Sequence, residues 1–254
     1  MAGRDRSRRQ GEEDGRPAPS SGPGGRASRR SRLVRSAASM SAFALPVAVL
    51  AFAVREHAHA LVDLDARLSD AATRWARRAG IVPALAAVQA AAQPWVVYTA
   101  SVPVLAWSAV RLGLRSRTTW AFVTMMGSWG LGALSKLVVR RVRPVLDDPL
   151  TVTTGYSFPS GHALNFAAAS STVLVLLWPR LRPRARRLLT VGLVALALVV
   201  GADRVLIGAH FGSDVIAGYL LGAGLSIASW IAFIGPTPPS SSARSSWSGS
   251  EPLP

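Results

Sequence analysis

Long runs without a single charged residue constrain this chain more than anything else in it. Ala79–Val110 holds 32 consecutive uncharged residues, Ala37–Val54 holds 18 and Leu188–Ala202 holds 15. Thr118–Ser135, Ala163–Pro179 and Val215–Ile234 are likewise free of charge. A helix that crosses a bilayer needs about 20 mostly apolar residues at ~1.5 Å each. Ala79–Val110 is too long for one crossing, and Pro83, Pro94 and Pro103 interrupt it. It divides into a short interfacial or re-entrant piece near Ile81–Ala92 and a span near Pro94–Leu112. Leu188–Ala202 is short for a span, and Arg186 and Arg187 lengthen it by snorkelling. The expected fold is all-α: a polytopic membrane protein with six transmembrane helices in a bundle.

Charge collects between these runs. Residues 1–36 carry ten Arg against four acids, among Gly, Ser and Pro. They read as a disordered basic tail. Residues 37–234 form the membrane domain, and the Ser/Pro-rich residues 235–254 read as a second disordered tail. The net charge of +16 suits a membrane protein with arginine-rich cytoplasmic segments. A nucleic-acid binder is discounted, because the cations lie in a tail and in membrane-flanking loops without a recognition module. The chain has no cysteine, so disulfides and thiolate metal sites are excluded. Ala58-His59-Ala60 resembles a signal-peptidase site and Ser28-Arg29-Arg30 a twin-arginine start. Five later apolar runs argue instead for ordinary insertion in the plasma membrane with the first span retained.

The positive-inside bias places both termini in the cytoplasm. Arg55–Arg78, Lys136–Gly161 and Asp203–Ser213 are then extracytoplasmic, the first as a polar loop with five Arg and four acids. Three segments at that face carry chemistry. Lys136 and Arg143 are seven apart where the third span ends, which on a continuous helix puts both on one stripe; Pro144 follows. Ser157-Phe-Pro-Ser-Gly-His162 opens the fourth span: Pro159 and Ser160 are helix-start residues, Gly161 admits a close ligand, and free N–H groups at such a start bind anions. Asp203-Arg204-x5-His210-x3-Asp214 enters the sixth span. Four residues apart on a helix, His210 and Asp214 share a face, and a carboxylate beside an imidazole fixes its tautomer. Taken singly, each segment also reads blandly, as an interfacial basic stripe, a helix cap and a surface His–Asp pair. Together they place ionisable groups at the same ends of spans three to six, where such groups are costly unless paired or used.

In this order, Lys-x6-Arg-Pro, Pro-Ser-Gly-His and Arg-x5-His-x3-Asp resemble the phosphatidic-acid phosphatase type 2 superfamily, over about residues 94–234. The resemblance implies a membrane lipid phosphatase that works through a phosphohistidine. His210 is then the nucleophile, Asp214 its orienting partner and His162 the general acid and base. Lys136, Arg143 and Arg204 hold the phosphoryl oxygens, helped by Ser160 and Gly161. Three cations supply the charge a metal would otherwise give, so neither metal nor cofactor is expected. A phosphate at the outer headgroup level suits phosphatidate-like lipids or polyprenyl (pyro)phosphates. The alternatives are a non-catalytic binder of lipid phosphates and a vanadate-dependent oxidase. Where the family's third motif begins Ser-Arg, this chain has Asp203-Arg204, which bears on substrate preference and rate. The motifs assign no oligomeric state. Arg140 and Arg141 read as headgroup contacts, with either also able to touch the substrate, Asp147 and Asp148 as a solvated turn, His57 and His59 as incidental. Trp95, Trp107, Trp120 and Trp178 read as interfacial anchors.

Overall fold

The computed structural model describes residues 23–146, 149–151 and 153–235, with side chains from residue 29 onward. Leu33–Pro236 form one compact unit. Asp147, Asp148, residues 1–22 and residues 236–254 lie outside the described residues, and with them most of both tails read as disordered.

The described chain is helical throughout: α1 (Pro23–Arg55), α2 (His59–Arg78), α3 (Val82–Ala91), α4 (Pro94–Val110), α5 (Arg115–Val139), α6 (Gly161–Leu177), α7 (Pro183–Leu206) and α8 (Gly212–Phe233). A short 3-10 turn, Trp178–Arg180, extends α6. Helix α1 starts inside the stretch read as a basic tail, because Arg and Ala there are good helix formers.

Five helices are long and apolar enough to cross a membrane: α1 from Arg29, α5, α6 with its 3-10 extension, α7 and α8. The span expected near Pro94–Leu112 is α4, but at 17 residues it measures about 26 Å, short of a ~30 Å hydrocarbon layer. Prolines open α3 and α4, where their missing N–H costs nothing. Pro103 lies inside α4 without ending it.

The segment Arg55–Arg78, read above as a polar loop, is mostly helix. In α2 the buried side is small and polar: Asp65, Ser69, Thr73 and Ala76. The outer side carries exposed Leu64, Leu68 and Trp75. This arrangement is inverted relative to a helix on a water-soluble protein. It fits a helix whose outer neighbour is apolar and whose inner neighbour is a polar site.

Helix α6 sits at the centre, packed against α4, α5, α7 and α8. One apolar cluster joins Val47 and Val54 of α1 to Leu164 of α6 and Ala217 and Leu221 of α8. A second joins Leu105 of α4, Trp120 and Met125 of α5, and Ala169 and Leu176 of α6. Trp120 is therefore no surface anchor: it is buried and its Nε1 donates to Ser229 Oγ at 3.1 Å. Trp95, Trp107 and Trp178 are exposed, as anchors are.

The α6–α8 seam depends on small residues. A Cβ at Gly218 would stand 2.7 Å from the Ser160 carbonyl and 3.0 Å from Ala163 Cβ. One at Gly222 would collide with the Leu164 carbonyl. Close backbone approach through Gly and Ala is how apolar helices gain packing where the surrounding medium is itself apolar. Gly222→Val should therefore lower stability by about 1–3 kcal/mol or more, read as a reduced thermal midpoint in detergent. A Val at Gly130, where a Cβ meets nothing within 4 Å, should leave that midpoint nearly unchanged.

Candidate active site

The C-termini of α5 and α7 and the N-termini of α6 and α8 meet at one end of the bundle. Backbone bonds tie the intervening loops together. Ser157 N–H donates to the Arg141 carbonyl at 2.8 Å, and Ser160 N–H donates to the Asp214 carbonyl at 2.9 Å. The Arg204 carbonyl accepts from Ala209 N–H at 3.0 Å and His210 N–H at 3.1 Å.

These loops explain the motif spacings differently from a helical-stripe argument. Helix α5 stops at Val139, and Arg140 caps it in the left-handed region at φ 52°. Arg143 therefore lies beyond the helix rather than two turns along a stripe with Lys136. Arg140 Nε donates to the Leu137 carbonyl at 2.9 Å, closing the helix end. His210 likewise precedes α8, so it shares no helix face with Asp214. The five residues between Arg204 and His210 form the C-terminal turn of α7. Gly208 turns there at φ 73°, and orphan carbonyls are met as in other helix C-caps. The three between His210 and Asp214 form the N-terminal turn of α8, where the Asp214 carboxylate accepts from Phe211 N–H at 3.0 Å.

The predicted site residues converge. Arg143 Nη1 lies 3.2 Å from His210 Nε2. Arg204 Nη1 lies 3.4 Å from His162 Nε2. Arginine can only donate, so both Nε2 atoms carry a lone pair and both rings hold their proton on Nδ1. His210 Nδ1 faces Asp214 Oδ2 at 3.6 Å and Ser157 Oγ at 3.3 Å. Ser160 is the N-cap of α6 and Gly161 its first residue, which puts His162 in the first turn. Lys136 Nζ is 4.0 Å from the position a Gly161 Cβ would take. The Ser160 hydroxyl is buried without a hydrogen-bond partner. A buried donor without a partner at a helix start is what an anion site leaves open.

Electrostatics favour a neutral His210. Burial pushes His210 down to about 4; Asp214 opposes this, and Arg143 and Lys136 reinforce it. Burial also lowers Arg143 from its ordinary value, with Asp214 opposing and Arg204 adding to the shift; the guanidinium stays charged. Among the described residues, no three His, Asp or Glu side chains are grouped as a metal site.

Asp203 is buried beside its neighbour. Its Oδ2 accepts from Arg204 Nε at 2.9 Å and from Arg204 Nη2. Its Oδ1 has no partner. Asp203 therefore occupies the forked side of the guanidinium and leaves Nη1 turned to His162.

Three further residues were given no place in the site by motif reading. Arg141, expected at lipid headgroups, is 8% exposed. It donates from Nη1 to Asp214 Oδ1 and from Nη2 to Asp65 Oδ2, at 2.7 and 2.8 Å. Ser157 Oγ donates to Asp214 Oδ2. Asp65 was hidden in a segment read as a loop; the Asp65-x3-Ser69-x3-Thr73 stripe was the signal available. No periodicity singles out Arg141, because it lies where the helix has ended.

Residues 117–235 match the family model of the PAP2 superfamily. All three motifs fall inside that stretch. This stretch is similar to the PAP2 superfamily. A crystal structure of a transmembrane PAP2-type phosphatidylglycerolphosphate phosphatase from Bacillus subtilis superposes with a TM-score of 0.64 at 25% identity, covering 75% of this chain and 94% of that one. Phosphatidylglycerophosphatase B of Bacillus subtilis is 34% identical over 42% of this chain and 55% of its own length. Undecaprenyl-diphosphatase of Sulfolobus acidocaldarius is 36% identical over 41% of this chain and 46% of its own. The matched stretches thus span about half of these curated relatives. With its long apolar helices and a transmembrane PAP2 neighbour, the chain is a multi-pass membrane protein.

The His210 shift has a sign for stability. The folded ring resists protonation until about pH 4, whereas an unfolded one gains a proton near 6.5. Between those values the unfolded state binds more protons, so stability is full above about pH 6.5 and falls as pH drops toward 4. The thermal midpoint in detergent should decline over that window, and His210→Gln should flatten the decline.

Proposed function

We propose that this chain is an integral membrane phosphatase that hydrolyses a lipid phosphate or diphosphate through a phosphohistidine on His210. The observation that carries the reading is the convergence of two imidazoles whose Nε2 lone pairs each rest on an arginine N–H, at 3.2 and 3.4 Å, within one buried cationic site. A phosphoryl group entering between them takes over both guanidinium groups and frees both lone pairs. Lys136, Arg143 and Arg204 then hold its non-bridging oxygens, and Ser160 Oγ with the α6 N-terminal amides adds neutral donors. His210 Nε2 attacks phosphorus, while Asp214 stabilises the charge that develops on the ring. Protonated with the substrate dianion beside it, His162 gives its proton to the leaving oxygen. It then takes one from the water that cleaves the N–P bond, which releases phosphate and restores His210. Three fixed cations supply the charge stabilisation, so the reaction runs without a metal.

The lipid-facing helices around the site suit a substrate whose tail stays in the bilayer, such as a phosphatidate-like lipid or a polyprenyl diphosphate. The names of the relatives point the same way. We assign α4 as the sixth span, and place the site outside the cytoplasmic membrane with both termini inside, on the Lys/Arg bias.

Phosphate release from a lipid panel in detergent with excess chelator tests the reaction. Wild type should release phosphate, His210→Ala should fall to background, and His162→Ala should lose about 10²–10⁴-fold. Undiminished hydrolysis by either variant overturns the mechanism, and loss of wild-type activity with chelator overturns metal independence. Orthovanadate should inhibit. A reporter fused after Leu150 should read extracytoplasmic; a cytoplasmic signal reverses the orientation.

Asp203→Ser should free the fork of Arg204 for phosphate and lower KM or the vanadate inhibition constant by about tenfold, roughly one charge-assisted hydrogen bond. Unchanged constants would mean that Asp203 does not compete with the substrate.

A further inference from the structure

We propose that Asp65 and Arg141 are positioning residues of this site: the Arg141 fork clamps Asp65 of α2 to Asp214, and so fixes the carboxylate that orients His210. The proposal rests on the reading of His210 as nucleophile. It reaches beyond the matched domain, because Asp65 lies outside residues 117–235.

The geometry leaves Asp214 no freedom. Its Oδ1 accepts from Arg141 Nη1 at 2.7 Å. Its Oδ2 accepts from Ser157 Oγ and from Phe211 N–H while facing His210 Nδ1. Arg141 is itself held on every side. Nη2 reaches Asp65 Oδ2 at 2.8 Å, Nη1 also reaches Ser213 Oγ at 2.7 Å, and Cζ lies 4.0 Å from the centre of the Phe211 ring. Asp65 completes the ring of contacts, accepting from Ser213 N–H at 3.1 Å and from Ser213 Oγ. The three side chains of the clamp are 7%, 5% and 0% exposed.

Charge counting shows what the third member adds. Arg141 and Asp214 alone would cancel. His210 would then face Lys136 from α5, Arg143 beyond it, Arg204 from α7 and the His162 ring from α6, with the Asp203 charge already engaged by Arg204. With Asp65 present, the buried trio carries one net negative charge. That charge is available when the His210 ring becomes cationic during phosphoryl transfer. Burying a third ion is costly, and a stripe of polar residues under an apolar-outward helix delivers it here. Asp65 and Arg141 touch no reacting atom; they act through Asp214.

Two charge-removing changes separate positioning from plain structural support. Asp65→Asn removes a negative charge near His210, so the ring should become harder to protonate. Arg141→Gln removes a positive one, so the ring should become easier to protonate. A mere loosening of the packing would admit water and make both variants easier to protonate. The chain has four histidines. Histidine-labelled full-length protein in detergent micelles, with His210→Ala for assignment, therefore gives a titration that needs no substrate. The acid limb of kcat/KM for short-chain phosphatidate in the same micelles should move in the same opposed directions. Each variant should lose about 10–100-fold in kcat, the usual cost of removing a group that orients a reacting one, with KM changed far less. Arg141→Lys, which keeps the charge without the fork, should recover the His210 titration more than the turnover.

His210 shifts of the same sign in both variants, or none in either, overturn the clamp. If Arg141→Gln does not fold, Asp65→Asn decides alone: a ring that is unmoved or easier to protonate overturns it. A wild type that releases phosphate from no lipid sinks the phosphatase reading, while the titration still decides whether Asp65 and Arg141 govern the charge at His210.

Discussion

Everything at the functional end of this protein hangs on the two oxygens of Asp214. One is given to a guanidinium, and the other is shared by a serine hydroxyl, a backbone amide and the Nδ1 edge of an imidazole. The backbone carbonyl of the same residue accepts from Ser160, joining the start of α8 to the start of α6. A single residue thereby sets the relative height of two helices and the orientation of the ring between them. The tight Gly and Ala seam between α6 and α8 makes this possible, since bulkier residues would part the two N-termini and open the bonds.

The site was legible in the sequence to the extent that it consists of charges in unusual places. Lys136, His162, Arg204 and His210 are conspicuous beside long uncharged runs, and the structure brings them together. The reason for their spacing was not legible. Regular helical geometry was the only ruler available for Lys136 to Arg143 and for His210 to Asp214, and both intervals turned out to contain helix ends. A helix end is irregular, so its reach depends on which carbonyls and amides find partners. The Arg204 carbonyl that collects both Ala209 and His210 could not be inferred from periodicity.

Arg141 and Asp65 stayed hidden for a different reason. The usual rule takes apolar residues as the inner face of a helix. In α2 the rule is reversed, with Leu64, Leu68 and Trp75 outside and Asp65 inside. Read with the ordinary rule, the stripe of Leu61, Leu64, Leu68 and Trp75 would be the inner face, and Asp65 would be turned away from the protein. Arg141 lies among other arginines, where one buried cation has the same spelling as its exposed neighbours. The apolar runs that became α3 and α4 were legible to within a few residues, because Pro83 and Pro94 mark their starts.

The resting pocket keeps the Nε2 atoms of both imidazoles covered. Each imidazole lone pair is occupied by the arginine that a phosphate would claim. An alkylating or acylating agent that drifts in without anionic oxygens has nothing with which to draw those guanidinium groups away. On the proposed mechanism, such chemistry would stay dormant toward stray electrophiles until anionic oxygens claim the guanidinium groups.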